Sequence, residues 1–424
     1  MSQTQAPAGS VPTYAAVLRV PRYLPIFLAS ALSMWGDYIA RVTIAAVVYA
    51  RTNSPLATAT TLAVSLVPTF FGRSLVGPVV DRFPYKWVLI WSHLLRATCV
   101  LGLMWLVLSG SSVYVMFAVL CVLELIGGAS SASNMVLLTD LFEDRHLYAR
   151  AVGLGAMSEQ FNQAIGLAVG GGLVALVGYE TGLLIDLLTF VVAAVVILFV
   201  VQARPVTGRR GRGVRGFVGD LSTAAGDLAR HPVLARLVLL SAFASLGIAA
   251  PEALAIPIAG TRGWGGALMA APIVGAVVGI VLIGRRDVQS QNRSIVPLAL
   301  AMPLPLLVTA LHPPIIVVAA CFFVSGMMQA FMVPLQATFA LVTEPELRGR
   351  IFSLAGAVSI AAAGLSFLVA GWLGAHTSPY AGVAWCALGC LGLVAALAVT
   401  WPHRRVRSAV DRAYATPSTT SHAA

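Results

Sequence analysis

Long apolar runs, separated by short polar segments, make up almost the whole of this sequence. A helix that crosses a lipid bilayer needs about 20 apolar residues, and most of the runs reach this length. Lipid offers backbone groups no hydrogen-bond partner, so each run is predicted to be a helix. The twelve predicted spans are residues 24–50, 56–80, 87–108, 113–138, 149–177, 181–201, 234–258, 267–283, 295–311, 315–342, 351–375 and 380–401. The predicted fold class is therefore an all-α membrane protein.

Composition and charge agree with this pattern and add an orientation. The 424 residues are 58% hydrophobic and 10% charged, with a net charge of +11, whereas about a quarter of the residues of a soluble protein are charged. With the N-terminus inside, 22 of the 27 Arg and Lys residues fall in cytoplasmic segments and only Arg51 and Arg262 in external loops. The positive-inside rule then predicts a multi-pass protein of the cell membrane with both termini in the cytoplasm. Because the basic residues lie between the apolar runs, the expected partner is the lipid bilayer and not nucleic acid.

The two halves of the chain carry a sequence repeat. Leu147–Leu154 aligns with Leu347–Leu354, 200 positions later, and Gly171 likewise aligns with Gly371. Two six-span halves in the same orientation are parallel repeats, which favour a binding site between the halves near the bilayer midplane. The predicted units are an N-terminal six-helix bundle (1–202), a cytoplasmic Arg- and Gly-rich linker (203–233), a C-terminal six-helix bundle (234–402) and a disordered cytoplasmic tail (403–424).

Charged side chains inside the spans indicate a mechanism. Asp37 lies about 20 Å along the first predicted helix from Leu24, near mid-membrane, and Arg41 follows one turn later on the same face, where the two can pair. Glu124 falls near the middle of the fourth span. Charges in membrane spans are costly and are functional by default. We therefore predict that Asp37, Arg41 and Glu124 couple protons, with Asp37 as the acid that carries the proton. The alternative is a static pair that fixes the first span to its neighbours.

The loop between spans two and three carries a motif. It reads Gly77-Pro-Val-Val-Asp81-Arg82-Phe-Pro84-Tyr-Lys86-Trp87. This resembles the loop motif G-x-x-x-D-R-x-G-x-R/K-R/K of the major facilitator superfamily of transporters. Gly77, Asp81, Arg82 and Lys86 match, and Pro84 and Trp87 depart from the pattern. The resemblance implies a gating loop in which Asp81 contacts the N-terminus of the eleventh helix, where a carboxylate is stabilised. The alternative is a plain basic turn.

The fifth span is similar to the exporter signature of this superfamily, G-x8-G-x3-G-P-x2-G-G. Four of its six positions match, and Asn162 and Leu167 occupy the other two. The matching residues are Gly153, Gly166, Gly170 and Gly171. Glycines let membrane helices approach closely and slide, as two rocking halves require, and ordinary helix packing is the alternative. The segments Met34–Arg41 and His93–Ala97 look like the branch of siderophore exporters and macrolide-type efflux pumps, which implies export driven by proton entry.

By the same resemblance, spans one, four, seven and ten line a central cavity. Glu124 and Glu252 would then face the cargo, and two acids favour a cationic or amphipathic molecule. Flexible and aromatic side chains on span ten suit loosely defined apolar ligands, with helix packing as the alternative. These further substrate-cavity candidates are Gln329, Phe331, Met332 and Gln336. The resemblance places Arg96 and Asp186 on peripheral spans, where a structural role is expected.

These patterns predict a proton antiporter that exports a small amphipathic or cationic organic molecule by alternating access. An uptake symporter or a lipid transporter of the same fold is the first alternative, and a membrane scaffold or sensor is the second. The sequence has no phosphate loop of the G-x-x-x-x-G-K type, and its Cys and His residues lack metal-ligand spacing. No enzymatic activity, cofactor or metal is therefore expected. The resemblance implies a monomer.

Overall fold

The computed structural model describes residues 14–75, 83–142, 144–202, 223–260, 263–343, 347–402 and 408, and these residues form helices and short connections without a strand. The long helical segments are α1 (Tyr23–Thr52), α2 (Pro55–Leu75), α3 (Tyr85–Leu108), α4 (Val113–Leu141), α5 (Arg145–Val177), α6 (Tyr179–Val200), α7 (Pro232–Ala259), α8 (Gly265–Gly284), α9 (Ile295–Leu311), α10 (Ile315–Val342), α11 (Arg348–His376) and α12 (Pro379–Val399). The predicted all-α membrane fold of twelve helices is confirmed. Most of the predicted linker and almost all of the predicted tail lie outside the described residues.

Length and composition of the helices fit a membrane protein. Within the described ranges, nine helices are long and apolar enough to cross a bilayer, and Pro55–Thr69 and Ile295–Leu311 are shorter apolar helices. Short helices at Tyr14–Leu18 and Val288–Arg293 lie outside the long segments.

Proline breaks two of the segments that the apolar pattern predicts as continuous. Segment α9 consists of helices Ile295–Ala301 and Leu304–Leu307 and a 3-10 turn, Val308–Leu311. Pro303 and Pro305 lie at and just after the break, and proline removes a backbone donor. In α10 a 3-10 turn, Gln329–Phe331, separates two α-helices. Pro334 follows it and cannot donate to the carbonyl four residues back, which lies inside this turn.

Each half of the chain has its own apolar core, and a third core joins the halves. Helices α1, α3, α4 and α6 surround a cluster that includes Ile44, Leu103 and Phe190. Segments α7, α9, α10 and α12 surround a second cluster. The third cluster combines residues of α1, α2 and α5 with residues of α7, α8 and α11, such as Leu62 and Leu254. The two bundles are therefore packed directly against each other.

The contacts between the halves are tight at one end of the bundle, where α1 ends and α2 begins. We call this the closed end. A Cβ atom added to Gly171 of α5 would overlap the backbone of Gly266 in α8. A Cβ atom added to Gly371 of α11 would lie 3.0 Å from the Cα atom of Leu56 in α2. Gly171 and Gly371 are the two repeat-related glycines, so the same close approach occurs twice, once from each half.

Toward the opposite end, which we call the open end, the same two helices lose their close neighbours. A Cβ atom added to Gly153 or Gly155 of α5, or to Gly356 of α11, would meet no atom of the described residues within 4 Å outside its own helix. Tight packing between the halves at one end, and the lack of close neighbours around these three glycines among the described residues, fit two halves that rock about their contact.

Candidate functional site

Asp37 of α1 forms an ion pair with Arg96 of α3. The Arg96 Nη2 atom donates to Asp37 Oδ1 at 2.6 Å. The Asp37 side chain is 28% exposed, whereas the Arg96 side chain is 8% exposed. The acid therefore faces open space and the base lies behind it. The predicted pairing of Asp37 with Arg41 is wrong in this structure, because the ion pair runs to the neighbouring helix and not along α1.

Neighbouring helices hold the Arg96 guanidinium in place. Its Cζ atom lies 4.3 Å from the centroid of the Phe190 ring in α6, a cation–π contact. Gly127 of α4 lies beside it, because a Cβ atom added there would be in van der Waals contact with the guanidinium at 3.5 Å. A cation deep in the bundle thus has a carboxylate on one side and an aromatic face on another, which offsets part of its desolvation cost.

A small cavity in the N-terminal bundle connects the charged residues. It has a volume of about 20 Å³ available to the centres of water molecules, which is enough for at least one water. It is lined by Asp37 and Arg41 of α1, Glu124 of α4, Asp186 of α6 and two hydroxyl-bearing residues of α2. The structure therefore brings together the three residues predicted to couple protons, although it does not test their role.

Glu124 accepts a hydrogen bond from a hydroxyl group of α2. Thr69 Oγ1 donates to Glu124 Oε2 at 2.8 Å and also lies 3.0 Å from the backbone oxygen of Ser65. Thr61 and Ser65, which precede Thr69 at helical spacing, line the same cavity. Polar side chains thus extend along one face of α2 beside Glu124.

Arg41 lies next to a second group of polar residues, near the contact between the halves. Its Cζ atom is 5.2 Å from the centroid of the Tyr38 ring. Tyr38 also interacts electrostatically with Glu159 of α5 and Glu252 of α7. Glu252 is half-buried and Glu159 is exposed. Glu252, a predicted cavity residue, belongs to the opposite half from Arg41. The two side chains are close enough to interact electrostatically.

The substrate-cavity candidates on α10 do not share one environment. Phe331 is fully buried in the core of the C-terminal bundle, where Met332 packs beside it. Phe331 therefore lines no cavity in this conformation, and its part in binding cargo stays a prediction. Gln329 is half-buried and Gln336 is exposed.

The gating-loop residues Gly77, Asp81 and Arg82 lie outside the described residues, so the contact predicted for Asp81 stays a prediction. Lys86 lies in the first turn of α3. Its Nζ atom donates to the backbone oxygen of Leu198 at 2.8 Å, near the end of α6. A cation at a helix C-terminus is favourable, so Lys86 ties the start of α3 to the end of α6.

The glycines of the predicted exporter signature have three different surroundings. Gly166 and Gly170 face α1, where an added Cβ atom would lie 2.7 Å from Tyr38 Cβ and 3.0 Å from Ile39 Cα. Gly171 faces α8 at the closed end, and Gly153 has open space. Two of the four glycines therefore pack α5 within its own half, and one sets the contact between the halves.

The sequence does not reveal the contacts that Arg96 and Asp186 make. The resemblance puts their helices on the periphery and so predicts a structural role for both. One signal is available: a buried base needs a carboxylate nearby, and Arg96 is close to mid-span. Gly36, which leaves room for the Asp186 side chain, has no distinctive pattern in the sequence. Among the described residues, no cluster of three His, Cys, Asp or Glu side chains could hold a metal ion.

Comparison with known proteins shows the fold and the family. The nucleoside transporter NupG superimposes with a TM-score of 0.68 and 12% identity, covering 89% of this chain and 98% of that chain. A bacterial homologue of the iron transporter ferroportin, in an inward-facing state, gives 0.66 and 16%, with 89% and 98% coverage. A bacterial homologue of the human lysosomal transporter Spinster, inward-facing and unoccupied, gives 0.64 and 13%, with 95% and 99% coverage. At these identities the likeness shows the fold alone.

The family follows from the sequence. No curated protein matches this chain. The model of the Major Facilitator Superfamily matches residues 26–289, more than half of the chain. The chain is therefore a multi-pass membrane transporter that belongs to the major facilitator superfamily.

Proposed function

We propose that this protein exports a small cationic or amphipathic organic molecule in exchange for protons, and that Asp37 carries the coupled proton. The observation that carries the proposal is the asymmetry of its ion pair. The Asp37 side chain is 28% exposed and lines the cavity, while its partner Arg96 is 8% exposed behind it. The acid can exchange a proton with cavity water, and the base behind it supplies the countercharge.

The charge count around the cavity supports proton binding. The cavity is lined by one guanidinium, that of Arg41, and by three carboxyl groups, those of Asp37, Glu124 and Asp186. The Arg96 guanidinium pairs with Asp37. With every group ionised, this set carries one excess negative charge. An uncompensated charge is costly in a medium of low dielectric constant. A bound proton removes that charge, and protonating Asp37 weakens its attraction to Arg96.

The residues near the contact between the halves support a cationic cargo. Glu252 on α7 and Glu159 on α5 interact electrostatically with Tyr38, whose ring lies beside Arg41. Carboxylates and an aromatic face are groups that bind organic cations. A cation bound here would compete with Arg41 for Glu252. Because Arg41 also lines the cavity with Asp37, cargo and proton would act on one connected set of charges.

The direction of transport rests on conformation and charge. If the termini are cytoplasmic, as the distribution of Arg and Lys favours, the closed end is external and the open end faces the cytoplasm. A cavity open to the cytoplasm is where an exporter takes up cargo. The contact of Gly171 with Gly266 would close the external side in this state.

Inverted membrane vesicles test the proposal with ethidium as a cationic probe. Vesicles that contain the protein should accumulate ethidium when their interior is acidified, and an uncoupler should abolish the accumulation. Accumulation that survives the uncoupler, or none in any vesicle, would contradict cation–proton antiport. Gradient-driven loss of ethidium from the vesicles would favour symport, and movement of a fluorescent phospholipid would favour lipid transport.

A further inference from the structure

Asp186 of α6 is a buried acid that the proposed function leaves without a role. The residue is 1% exposed, and its Oδ1 atom is fully buried with no hydrogen-bond partner in the described part of the chain. A Cβ atom added to Gly36 of α1 would lie 2.6 Å from this oxygen. Gly36 directly precedes Asp37, so the absence of a side chain there lets the Asp186 carboxyl group pack against the α1 backbone beside the ion pair.

Arg96 has an N–H group that could donate a hydrogen bond to this acid. Its Nη2 atom is bonded to Asp37, but its Nε atom is fully buried with no partner among the described residues. Arg96 interacts electrostatically with both Asp37 and Asp186. Two acids of different helices therefore compete for one guanidinium, and the structure shows it bonded to only one of them.

Other charged groups around Asp186 do not replace Arg96. Helix α1 contributes Asp37 and Arg41, and α4 contributes Glu124. His93 of α3 lies one turn before Arg96 and packs against Phe190, one turn after Asp186. The Nδ1 atom of His93 is also buried without a partner in the described structure. An ionised carboxylate with one oxygen buried away from any donor among the described residues is disfavoured in such a site, which favours a protonated Asp186 while Arg96 is paired with Asp37.

We propose that Asp186 and Asp37 form a two-carboxyl proton relay that shares Arg96, an inference that rests on the proposed proton coupling. In the relay, the O–H bond of Asp186 breaks, the proton passes through cavity water, and an O–H bond forms on Asp37. The Arg96 guanidinium leaves Asp37 and donates to the new Asp186 carboxylate. One proton and one ion pair thus exchange places, and the charge of the set is unchanged.

The two acids lie at about the same depth in the bundle. A Cβ atom added to Gly36, the residue before Asp37, would lie 3.0 Å from the Cα atom of Asp186. The two acids differ in exposure, because Asp186 is 1% exposed and the Asp37 side chain is 28% exposed. Asp37 is therefore the acid of the pair that meets the open space, and Asp186 is the acid behind it.

Infrared difference spectroscopy of the purified protein in lipid nanodiscs, without cargo, tests the relay. The carbonyl stretch of a protonated carboxylic acid is separate from that of a carboxylate. At neutral pH, Asp186→Asn should remove one protonated-carboxyl band, and Glu180→Gln, an exposed acid on the same helix, should leave it. Asp37→Asn should remove the same band, because the freed Arg96 then pairs with an ionised Asp186. A band that survives either aspartate substitution would overturn the relay.

A second variant keeps the test decisive if Asp186→Asn does not fold. Arg96→Gln removes the shared base, so the protonated-carboxyl signal should increase over wild type, and an unchanged signal would contradict the sharing. The spectra are independent of transport. If the bands respond as expected while ethidium movement ignores the proton gradient, the charge sharing stands and the proposed antiport fails. If transport is proton-coupled but the bands do not respond, the antiport stands and the relay fails.

Discussion

The ion pair between Asp37 and Arg96 should dominate the energetics of the charged cavity, and a double-mutant cycle can measure it. The two bonded atoms are 2.6 Å apart. At about 4 Å between charge centres and an effective dielectric constant of about 20, the attraction is about 4 kcal/mol. Removing one partner of a buried pair costs about 3–5 kcal/mol. Because the Asp37 side chain is 28% exposed, the lower end of that range, about 3 kcal/mol, is expected for Asp37→Asn.

The double variant should be less damaging than the sum of the single variants. Asp37→Asn removes the acid to which Arg96 is bonded and leaves Asp186 to ionise in its place, whereas Asp37→Asn combined with Arg96→Gln removes both charges of the pair. The expected coupling is about 2–3 kcal/mol. The assay is unfolding in mixed micelles, followed by circular dichroism at fixed pH and without cargo. A matched cycle of Asp37 with Arg41 should give a smaller coupling. Additivity within about 0.5 kcal/mol for the Arg96 cycle, or a larger coupling to Arg41, would refute the assignment of Arg96 as the partner.

Three further predictions concern other parts of the molecule. Gly171→Ala should lower the free energy of unfolding by about 1–3 kcal/mol and speed maleimide labelling of a cysteine introduced at the closed end. The control Gly153→Ala, at a glycine without close neighbours, should change neither quantity. Equal labelling of the two variants would contradict the closed-end contact. Thr69→Val should cost about 1–2 kcal/mol of unfolding free energy by removing the donor to Glu124, and unchanged stability would show that this bond contributes nothing. Hydrogen bonds from the first turn of the helix that follows lower the pKa of Asp287. The protection of that helix from hydrogen exchange should therefore be complete above the unfolded pKa of about 3.9 and should fall as the pH passes down through the lowered pKa. In Asp287→Ala this protection should be absent at every pH, and equal protection in the variant would contradict the cap.

The sequence predicts the architecture well because membrane helices are encoded by composition over long windows. Each apolar run must satisfy its own backbone hydrogen bonds, so helix positions follow without knowledge of tertiary contacts. The breaks in α9 and α10 were not predicted, although Pro303, Pro305 and Pro334 mark them. Proline is tolerated in many membrane helices, as Pro251 and Pro257 within α7 show, and its effect depends on neighbouring helices.

The candidate site was harder to predict, because partners on different helices leave no spacing in the sequence. Asp37 and Arg41 are one turn apart, which favours a pair along the helix, but Arg96 is 59 positions away and forms the ion pair. Which face of α3 meets α1 depends on packing between helices, and the apolar pattern of either helix does not reveal it. In the same way, the apolar pattern of α10 reveals neither the burial of Phe331 nor the 3-10 turn that contains it.

The most direct test of the central claim compares gradient-driven transport with exchange in the Asp37→Asn variant. Proteoliposomes that contain the wild-type protein should accumulate ethidium against its gradient when the lumen is acidified, and should also exchange labelled for unlabelled ethidium at equal pH. The account predicts that Asp37→Asn keeps the exchange and loses the accumulation, because the carrier still rocks with cargo but no longer responds to protons. Accumulation by Asp37→Asn at the wild-type rate would contradict the assignment of Asp37 as the proton-carrying acid.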